Sequence, residues 1–481
     1  MATGAVLATQ PAATPASSGS ASTPTPASTP KPAASAGLLN DWLRGEADAF
    51  KPWDLGGEFR VRYETKANAG DGSSASVDFM KSPPAGKFND NDYLLLREKI
   101  HVGYSPADWF TVYGSVRDAY SDGDRREPPK TSDRIDLEQA WAKLGGTKSI
   151  PFSIKVGRQE MVYGDERMVG RADWNNLGSR IFEAAVARYE ASGQWIDAFV
   201  GRPILADDHN WNEPNDYDWL SGCYASSKKL LPFQESQAYV LVHTVAGQST
   251  VQDPGVITRA STPQDTATVG LRFKSLPAKL GAWDYTFEFA GQFGDVKVGK
   301  ARLDQEAFAI VGTGGYTWKE TWGSPRLSVG YELWSGDDDP KDDRNGTFEP
   351  LFPTNHRPLG LMDLVGAKNI HDPRVGLNFK PVKPLAVWLE WHWFWLAEAA
   401  DSFYNDGGTA RSGNGYGRNP QYGNFAGSEV DLDVIYTFKP WLVARAGYGH
   451  FFVGDYVSDL LAATGGAQDA DWFYAQVGFS F

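Results

Sequence analysis

The sequence predicts an all-β fold: a transmembrane antiparallel β-barrel of about 18 strands, preceded by a disordered N-terminal segment. Three observations predict it. Apolar and polar residues alternate in short segments over residues 54–481, short turns alternate with long loops, and the chain ends on an aromatic strand. No run approaches the roughly 20 apolar residues of a membrane helix. A mean hydropathy of -0.41 excludes a bundle of such helices but suits a barrel with a polar lumen and loops.

The first 37 residues have the composition of a disordered segment. Residues 9–36 are almost entirely Ala, Pro, Ser and Thr, which cannot build an apolar core. The stretch Gly4–Thr9 resembles the end of a signal peptide, although the basic start and long apolar region of a complete one are missing. We expect a signal-peptide remnant there. Residues 38–53 predict a short amphipathic helix or lead-in at the periplasmic rim, and residues 54–481 the barrel.

Alternation begins with residues 57–64, where Phe59, Val61 and Tyr63 share one face and Glu58 and Arg60 lie on the other. Strand ends predicted from one sequence are accurate only to a few residues, so we expect about 16–18 strands. A bacterial barrel is expected to have an even number. The other candidate strands are residues 94–104, 109–120, 134–145, 151–162, 179–190, 194–202, 218–227, 235–245, 265–274, 282–295, 305–318, 324–335, 373–380, 384–397, 428–438, 441–452 and 471–481.

The last strand carries Phe473, Ala475, Val477, Phe479 and Phe481 on one face. An uncovered aromatic strand at the end of a soluble sheet would be an edge for aggregation, whereas a strand that closes a barrel in lipid has no free edge. Such a C-terminal strand is typical of outer-membrane barrels and is recognised by the barrel assembly machinery. We therefore expect a protein of the outer membrane of a Gram-negative bacterium, with membrane lipid around it.

The connections come in two sizes, as periplasmic turns and external loops do in an outer-membrane barrel. Short turns lie at 106–108, 379–384 and 439–440. Long loops are expected near residues 66–90, 121–133, 203–216, 247–263, 336–372, 399–425 and 454–469.

Alternation alone does not separate this barrel from a soluble β-sandwich, which also has one apolar face per strand. The aromatic stripes favour the barrel, because Trp283, Phe287 and Phe289 share one face of a strand, as Trp391 and Trp393 do in another. The opposite faces carry charges of both signs. These are Arg60, Arg62, Arg97, Lys99, Arg117, Lys155, Arg272, Lys274, Arg326, Arg374 and Arg445, with Glu58, Asp284, Glu288, Glu332, Glu429, Asp431 and Asp433.

A lumen rich in guanidinium groups has two interpretations. Rings of arginine select anions in pores, and an arginine binds a carboxylate through two parallel hydrogen bonds. The alternative is that arginine–carboxylate pairs only brace opposite walls. The net charge of -14 argues against a nucleic-acid partner but does not fix the sign of the pore, and the lone Cys223 forms no internal disulfide.

Several segments resemble the alginate-export porin family in order along the chain. They are Gly157–Gly170 followed by Trp174 and Arg180–Glu183, then Ser335–Pro340, Thr347–His356, Asn369–Ile370, Glu429–Leu432 and Gly447–Phe452. The resemblance covers residues 54–481. It implies an 18-stranded outer-membrane barrel that passes an anionic polysaccharide by diffusion through a narrow, arginine-lined constriction.

The resemblance also implies site residues. Asp165 and Glu166 would be acidic partners that hold arginines in place. Candidates for the constriction are Arg97, Arg158, Arg167, Arg326, Arg344 and Arg445, together with the inward-facing Arg60. Periplasmic polysaccharide-export proteins are the expected further partners.

Three other functions are open at this point. An outer-membrane enzyme is disfavoured, because the seven histidines are scattered and no Gly-x-Ser-x-Gly motif is present. A general or anion-selective porin for small solutes is the main alternative. A calcium-binding or adhesive barrel would use the oxygen ligands of residues 337–343 in an extracellular loop, although the spacing of an EF-hand is missing and we expect no other cofactor.

Overall fold

The computed structural model describes residues 37–70, 77–126, 131–207, 209–246, 256–257 and 263–481. The segment predicted to be disordered lies outside these residues except for Gly37. Helix α1 spans Leu38–Glu46 and a second helix, α2, spans Asp455–Leu461. Single 3₁₀ turns follow them at Asp48–Phe50 and Ala462–Thr464. Neither described helix has the length and apolar composition needed to cross a membrane.

Eighteen strands form the wall of a closed antiparallel barrel, as the sequence predicts. Each strand pairs with the next one, and β1 pairs with β18 from Glu58↔Ser480 to Ala67↔Asp471, so no edge is left open. The wall strands are β1 (Trp53–Ala67), β2 (Asp90–Ala107), β3 (Phe110–Asp122), β4 (Asp133–Gly145), β5 (Phe152–Glu160), β6 (Ile181–Ala191), β7 (Gln194–Asp207), β8 (Asp218–Ser227), β9 (Gln234–Val245), β10 (Gln264–Ser275), β11 (Trp283–Val298), β12 (Ala301–Thr317), β13 (Arg326–Trp334), β14 (Ile370–Val382), β15 (Leu385–Leu396), β16 (Phe425–Lys439), β17 (Leu442–Val453) and β18 (Ala470–Ser480).

Most strands run past their predicted limits, as β1 and β2 show. Beyond the lipid belt, the backbone pairing continues where apolar alternation has ceased to mark it, for example at Lys66↔Asn91. Two-residue strands occur in the loops at Glu213–Pro214, Val256–Ile257 and Arg344–Asn345.

The two faces of the wall match the predicted alternation. On β1, Phe59 and Tyr63 are 39% and 42% exposed on the outer surface, whereas Arg60 and Arg62 are buried inside. Aromatic residues collect on the outer face at the end with the short turns: Trp53 contacts Tyr104 with ring centroids 4.5 Å apart. Such residues form the girdle that meets the lipid headgroups.

Helix α1 binds the first residues of β1 at this same end, before the pairing of β1 with β18 begins. The Asn40 amide donates to the Asp54 carboxylate at 2.7 Å, and its oxygen accepts the backbone N–H of Leu55 at 2.8 Å. Arg44 donates to the carbonyl of Trp53 at 2.6 Å. The helix therefore supplies partners to the part of β1 that precedes Gly57, which itself pairs with Phe481.

Two loops turn inward and pack inside the barrel: the 161–180 loop, between β5 and β6, and the 335–369 loop, between β13 and β14. They pair with each other through a parallel bridge between Val169 and Phe352. Both residues belong to a buried apolar cluster that joins these loops to the inner wall, for example through Phe182, whose ring contacts Phe352 edge-on at 5.1 Å. The lumen is thus partly filled by the chain's own loops.

Candidate functional site: the lumen and its inner loops

The site is built where the two inner loops contact charged side chains of the wall. The loops are held to each other by backbone bonds, with Gly170 N donating to Phe352 O at 2.7 Å and Thr354 N to Glu166 O at 2.9 Å. Their apolar side chains are buried, which anchors them to the wall by loss of water contact. Charged side chains then fix their position along the lumen.

One contact lies on β2. Arg97 donates to the Asp173 carboxylate at 3.0 Å, and the Lys99 ammonium lies 3.3 Å from the same oxygen. Both cations also keep wall carboxylates: Arg97 lies 2.7 Å from Glu58, and Lys99 lies 2.7 Å from Glu138. Residues two apart on a strand face the same side, so Arg97 and Lys99 present their charges together.

A second contact of the same kind lies on β10. The Arg272 guanidinium and the Lys274 ammonium each lie 2.7 Å from the Asp165 carboxylate, and the Thr286 hydroxyl donates to it at 2.8 Å. Arg272 also donates to the neutral Gln237 amide at 2.9 Å. Among the described residues, Asp165 is the only carboxylate within ion-pair distance of this pair.

The two loop carboxylates stay ionised at ordinary pH. Burial alone would raise the pKa of the Asp165 carboxyl, but Arg272 and Lys274 outweigh it and hold that pKa below its usual value. The pKa of Asp173 is lowered in the same way, with desolvation opposed by the charges of Lys99 and Arg97. Both groups therefore act as fixed anions.

A third anchor joins the 161–180 loop to β13 and β14. Arg167 lies 2.7 Å from Glu332, and Arg374 lies 2.9 Å from the same carboxylate. Arg374 also keeps Asp372 at 3.0 Å. Glu332 is fully buried, so it is shared by two guanidinium groups away from bulk water.

Aromatic and cationic side chains meet at Trp174, against the inner face of β1, β17 and β18. Its ring stacks on the His356 ring, with centroids 3.9 Å apart, and the Arg62 guanidinium lies 4.0 Å from its centroid. Arg445 lies 5.0 Å from the same ring and makes two hydrogen bonds to Asp433, at 2.8 and 2.6 Å. Cations over an indole face are attracted by its quadrupole.

The 335–369 loop sits on β15 and β16. Backbone amides of Leu361 and Met362 donate to Asp431 at 3.1 Å and Glu429 at 2.9 Å. Gly360 precedes them with φ +91, and a Cβ there would collide with the Glu429 carboxylate. Both carboxylates therefore bind the 335–369 loop and do not form a pair of free carboxylates open to the lumen.

Two predicted site residues, Arg60 and Glu166, hold the inner loops by hydrogen bonds to loop groups and not by an ion pair with a wall carboxylate. Arg60 donates to the carbonyl of Asn175 and to the Asn176 side chain, each at 3.2 Å. Glu166 has φ +63 and accepts the Thr354 hydroxyl at 2.8 Å and the backbone N–H of Arg171 at 3.0 Å. Glu166 thus ties the two loops together and holds Arg171, which lies 45% exposed, at 3.2 Å.

The structure brings most of the predicted arginines to the lumen. Arg97 and Arg445 contact the inner loops from the wall, and Arg167 contacts the wall from the 161–180 loop. Arg158 lies nearer the 208–217 loop, where it donates to Asn212 O at 3.0 Å. Arg326 lies beside a short turn and pairs with Asp284 at 2.6 Å.

The prediction for Arg344 does not match the structure. Its side chain is 56% exposed in the outer part of the 335–369 loop and lies 3.4 Å from Asp342 and 3.6 Å from Glu306. Arg344 belongs to the 335–369 loop, and the path of that loop leaves its guanidinium exposed instead of bringing it to the buried contacts that fix the inner loops.

A cavity of about 520 Å³ remains between the β1–β4 wall and the inner loops. Arg62, Lys66, Arg117, Trp174 and His356 are among its lining residues. Its walls are thus polar and aromatic, which suits an oxygen-rich solute better than an apolar one.

Sequence reasoning assigned Lys99, Arg272 and Lys274 to the lumen but not to the site, and it gave no role to Asp173. The missed feature is the inward path of the 161–180 loop. A signal was present, because Met161, Met168 and Val169 are apolar residues in a segment without alternation, which is unusual for an exposed loop.

Within the described ranges, no group of three or more His, Cys, Asp or Glu side chains is arranged to hold a metal ion. The acidic stretch 337–343 is partly engaged, since the backbone N–H of Asp337 donates to Asp401 at 3.2 Å. Calcium in this loop stays a prediction.

Comparison with known proteins identifies the family. The model of the alginate export family matches residues 52–468, which is most of the chain. No protein of curated function matches it significantly in sequence.

Solved structures with the same fold include OpdO of Pseudomonas aeruginosa, with a TM-score of 0.56 and 11% identity over 90% of this chain and 97% of that one. OccK9 (OpdG) of P. aeruginosa has a TM-score of 0.55 and 11% identity over 89% and 98%. OccAB1 of Acinetobacter baumannii has a TM-score of 0.53 and 10% identity over 90% and 97%. At this identity the likeness establishes the fold alone. From the family match and the closed barrel around an arginine-bearing lumen, we conclude that the chain belongs to the alginate export family and is an outer-membrane channel.

Proposed function

We propose that this channel passes an anionic polysaccharide of the alginate-like uronate class across the outer membrane of a Gram-negative bacterium, by diffusion through an arginine-lined constriction. The observation that carries the proposal is the set of cations facing the lumen on several walls, on β1, β2, β10, β14 and β17. A uronate polymer carries one carboxylate per sugar, and an arginine pairs with such a group through two hydrogen bonds.

The cations attract the polymer without trapping it. Arg97, Arg326 and Arg445 already hold wall carboxylates at 2.6–2.8 Å, so a passing carboxylate gains a share of each guanidinium rather than a bare charge. An ion pair in such a setting offers roughly 4 kcal/mol before desolvation is subtracted, which wall carboxylates and lumen water reduce further. Several weak contacts in sequence allow movement, as conduction requires.

A channel for small solutes is the second candidate. The observation that favours it is the cavity of about 520 Å³ beside the inner loops, because its volume is in the range of small-molecule sites. The two candidate functions differ in whether the lumen binds and passes a long anionic chain. Both predict that the channel conducts ions. Docking of periplasmic export proteins stays a prediction.

Reconstitution in planar bilayers tests the proposal. We expect the reversal potential in a salt gradient to show anion selectivity, and oligogalacturonate to interrupt the current at concentrations where maltooligosaccharides of equal length do not. Liposomes should then release entrapped oligogalacturonate. A channel that conducts but treats charged and neutral oligosaccharides alike would instead support the small-solute function.

A further inference from the structure

The 161–180 loop spans the lumen between two similar cation pairs. Arg97 and Lys99 on β2 hold Asp173, and Arg272 and Lys274 on β10 hold Asp165. In a barrel of 18 strands, β2 and β10 lie eight strands apart in one direction and ten in the other. The loop is therefore fixed by carboxylates to nearly opposite walls.

The two cation pairs differ in what they keep if the loop leaves. Arg97 retains Glu58 at 2.7 Å, and Lys99 retains Glu138 at 2.7 Å. Arg272 would keep the hydrogen bond to the neutral Gln237 and the more distant attraction of Glu288, its neighbour across the strands, and Lys274 would keep no carboxylate within ion-pair distance among the described residues. The nearby Glu288 accepts the Tyr239 hydroxyl at 2.7 Å instead of an ion pair with Arg272.

A mostly buried guanidinium–ammonium pair without a carboxylate at ion-pair distance is costly, so the β10 pair favours an anion in the place of Asp165. The hydrogen-bond geometry also fits a carboxylate. Both Asp165 oxygens are used, one by Lys274 and one by Arg272 and the Thr286 hydroxyl.

Building on the proposed function, we infer that Arg272, Lys274, Thr286 and Gln237 form a binding subsite for a uronate carboxylate, which Asp165 occupies when no polymer is present. The incoming polymer displaces Asp165, the 161–180 loop leaves its seat on β10, and the lumen widens. Substrate thereby opens its own path.

Asp165 competes with the carboxylates of the polymer, and its attachment to the channel favours it in this competition. Asp165 is attached to the channel and acts at a high effective concentration, so a single free carboxylate displaces it poorly. A polymer presents many carboxylates in a row, and binding at neighbouring arginines raises its own effective concentration at the subsite. The subsite therefore discriminates polymeric from monomeric uronate.

The first experiment measures block of the bilayer current by oligogalacturonate. Asp165→Asn removes the competitor, and we expect a several-fold rise in apparent affinity, whereas Asp173→Asn has a smaller effect because Arg97 and Lys99 keep their wall carboxylates. Lys274→Gln, in the Asp165→Asn background, should reverse the gain. Asp118→Asn, which removes a carboxylate from the surface pair with Arg134 without touching a loop or a constriction arginine, is the control for a general change in charge.

The second experiment follows the loop itself. Met168 is 3% exposed, so Met168→Cys in a Cys223→Ser background should react slowly with a membrane-impermeant thiol reagent. Oligogalacturonate should accelerate the reaction, and a maltooligosaccharide should not. Val457→Cys, fully buried on α2, is the control and should not change.

The outcomes separate the two proposals. Block by oligogalacturonate with unchanged reactivity of Met168→Cys, or equal effects of Asp165→Asn and Asp173→Asn, overturns the inference while the export function stands. Absence of any block or release of oligogalacturonate overturns the proposed function. The carboxylate subsite on β10, which rests on that function, is then overturned with it.

Discussion

Replacing Glu332 with glutamine tests whether the 161–180 loop is seated by charge. The Glu332 carboxylate accepts Arg167 at 2.7 Å, Arg374 at 2.9 Å and the Trp334 indole N–H at 3.1 Å, and it is fully buried. Glutamine keeps nearly the same shape and removes only the charge. Arg374 still has Asp372, so Arg167 is the guanidinium left without a carboxylate.

The expected magnitude follows from these partners. Breaking a buried ion pair costs about 3–5 kcal/mol, and water in the lumen places Glu332→Gln near the lower end, at about 3 kcal/mol. Arg167→Gln should cost about 1.5 kcal/mol, because Glu332 then keeps Arg374. The double variant should resemble Glu332→Gln alone, which gives a coupling energy of about 1.5 kcal/mol.

The assay is equilibrium urea unfolding in lipid vesicles, followed by tryptophan fluorescence for wild type, both single variants and the double variant. Asp118→Asn is the control, because its partner Arg134 is 60% exposed and such surface pairs contribute about 1 kcal/mol or less. A coupling energy below about 0.5 kcal/mol would refute the reasoning, since independent sites show values of that size.

Three further outcomes are expected. Arg445→Glu places a second carboxylate beside that of Asp433 and should reduce the anion selectivity measured from the reversal potential. A selectivity equal to that of the wild type would show that Arg445 does not belong to the constriction. Asn40→Ala leaves the Leu55 N–H without its acceptor and should destabilise the docking of α1 by about 1–2 kcal/mol, seen as faster hydrogen exchange over residues 38–50 with unchanged exchange in the barrel. Because the pKa of Asp165 is lowered in the folded protein, its contribution to loop seating is present above its ordinary pKa and is lost only as pH falls through the lower, folded value. Thiol reactivity of Met168→Cys, divided at each pH by that of the exposed Cys223 in the wild type to remove the change in thiolate fraction, should therefore stay low from neutral pH down to about pH 4, and a rise in this ratio near pH 6 would contradict this.

The sequence predicted which side chains of the barrel wall face outward and which face inward. Alternation on β1 placed Phe59 and Tyr63 outside and Arg60 and Arg62 inside, and all 18 predicted segments coincide with wall strands. The prediction succeeds because a strand has a period of two, which any short piece of sequence reveals. The predicted ends of the strands were less accurate, because backbone pairing such as Lys66↔Asn91 continues beyond the apolar belt.

The site was predictable only in part. Arg97, Arg167 and Arg445 were chosen from motifs and lie in the lumen, but Arg344 followed the same reasoning and lies outside. Loop residues have no periodicity that fixes their direction, so the contact between Asp173 and Arg97, separated by 76 residues, had no local signal.

The sequence by itself determined the barrel, a count of about 16–18 strands, and which face of each strand is apolar and which is polar, because these depend on neighbours along one strand and on the contrast between lipid and water. Only the tertiary structure decided that two loops fill the lumen and that Asp165 occupies the β10 cations. Those contacts join distant segments, and their geometry depends on the closed wall and on the paths of both loops inside it.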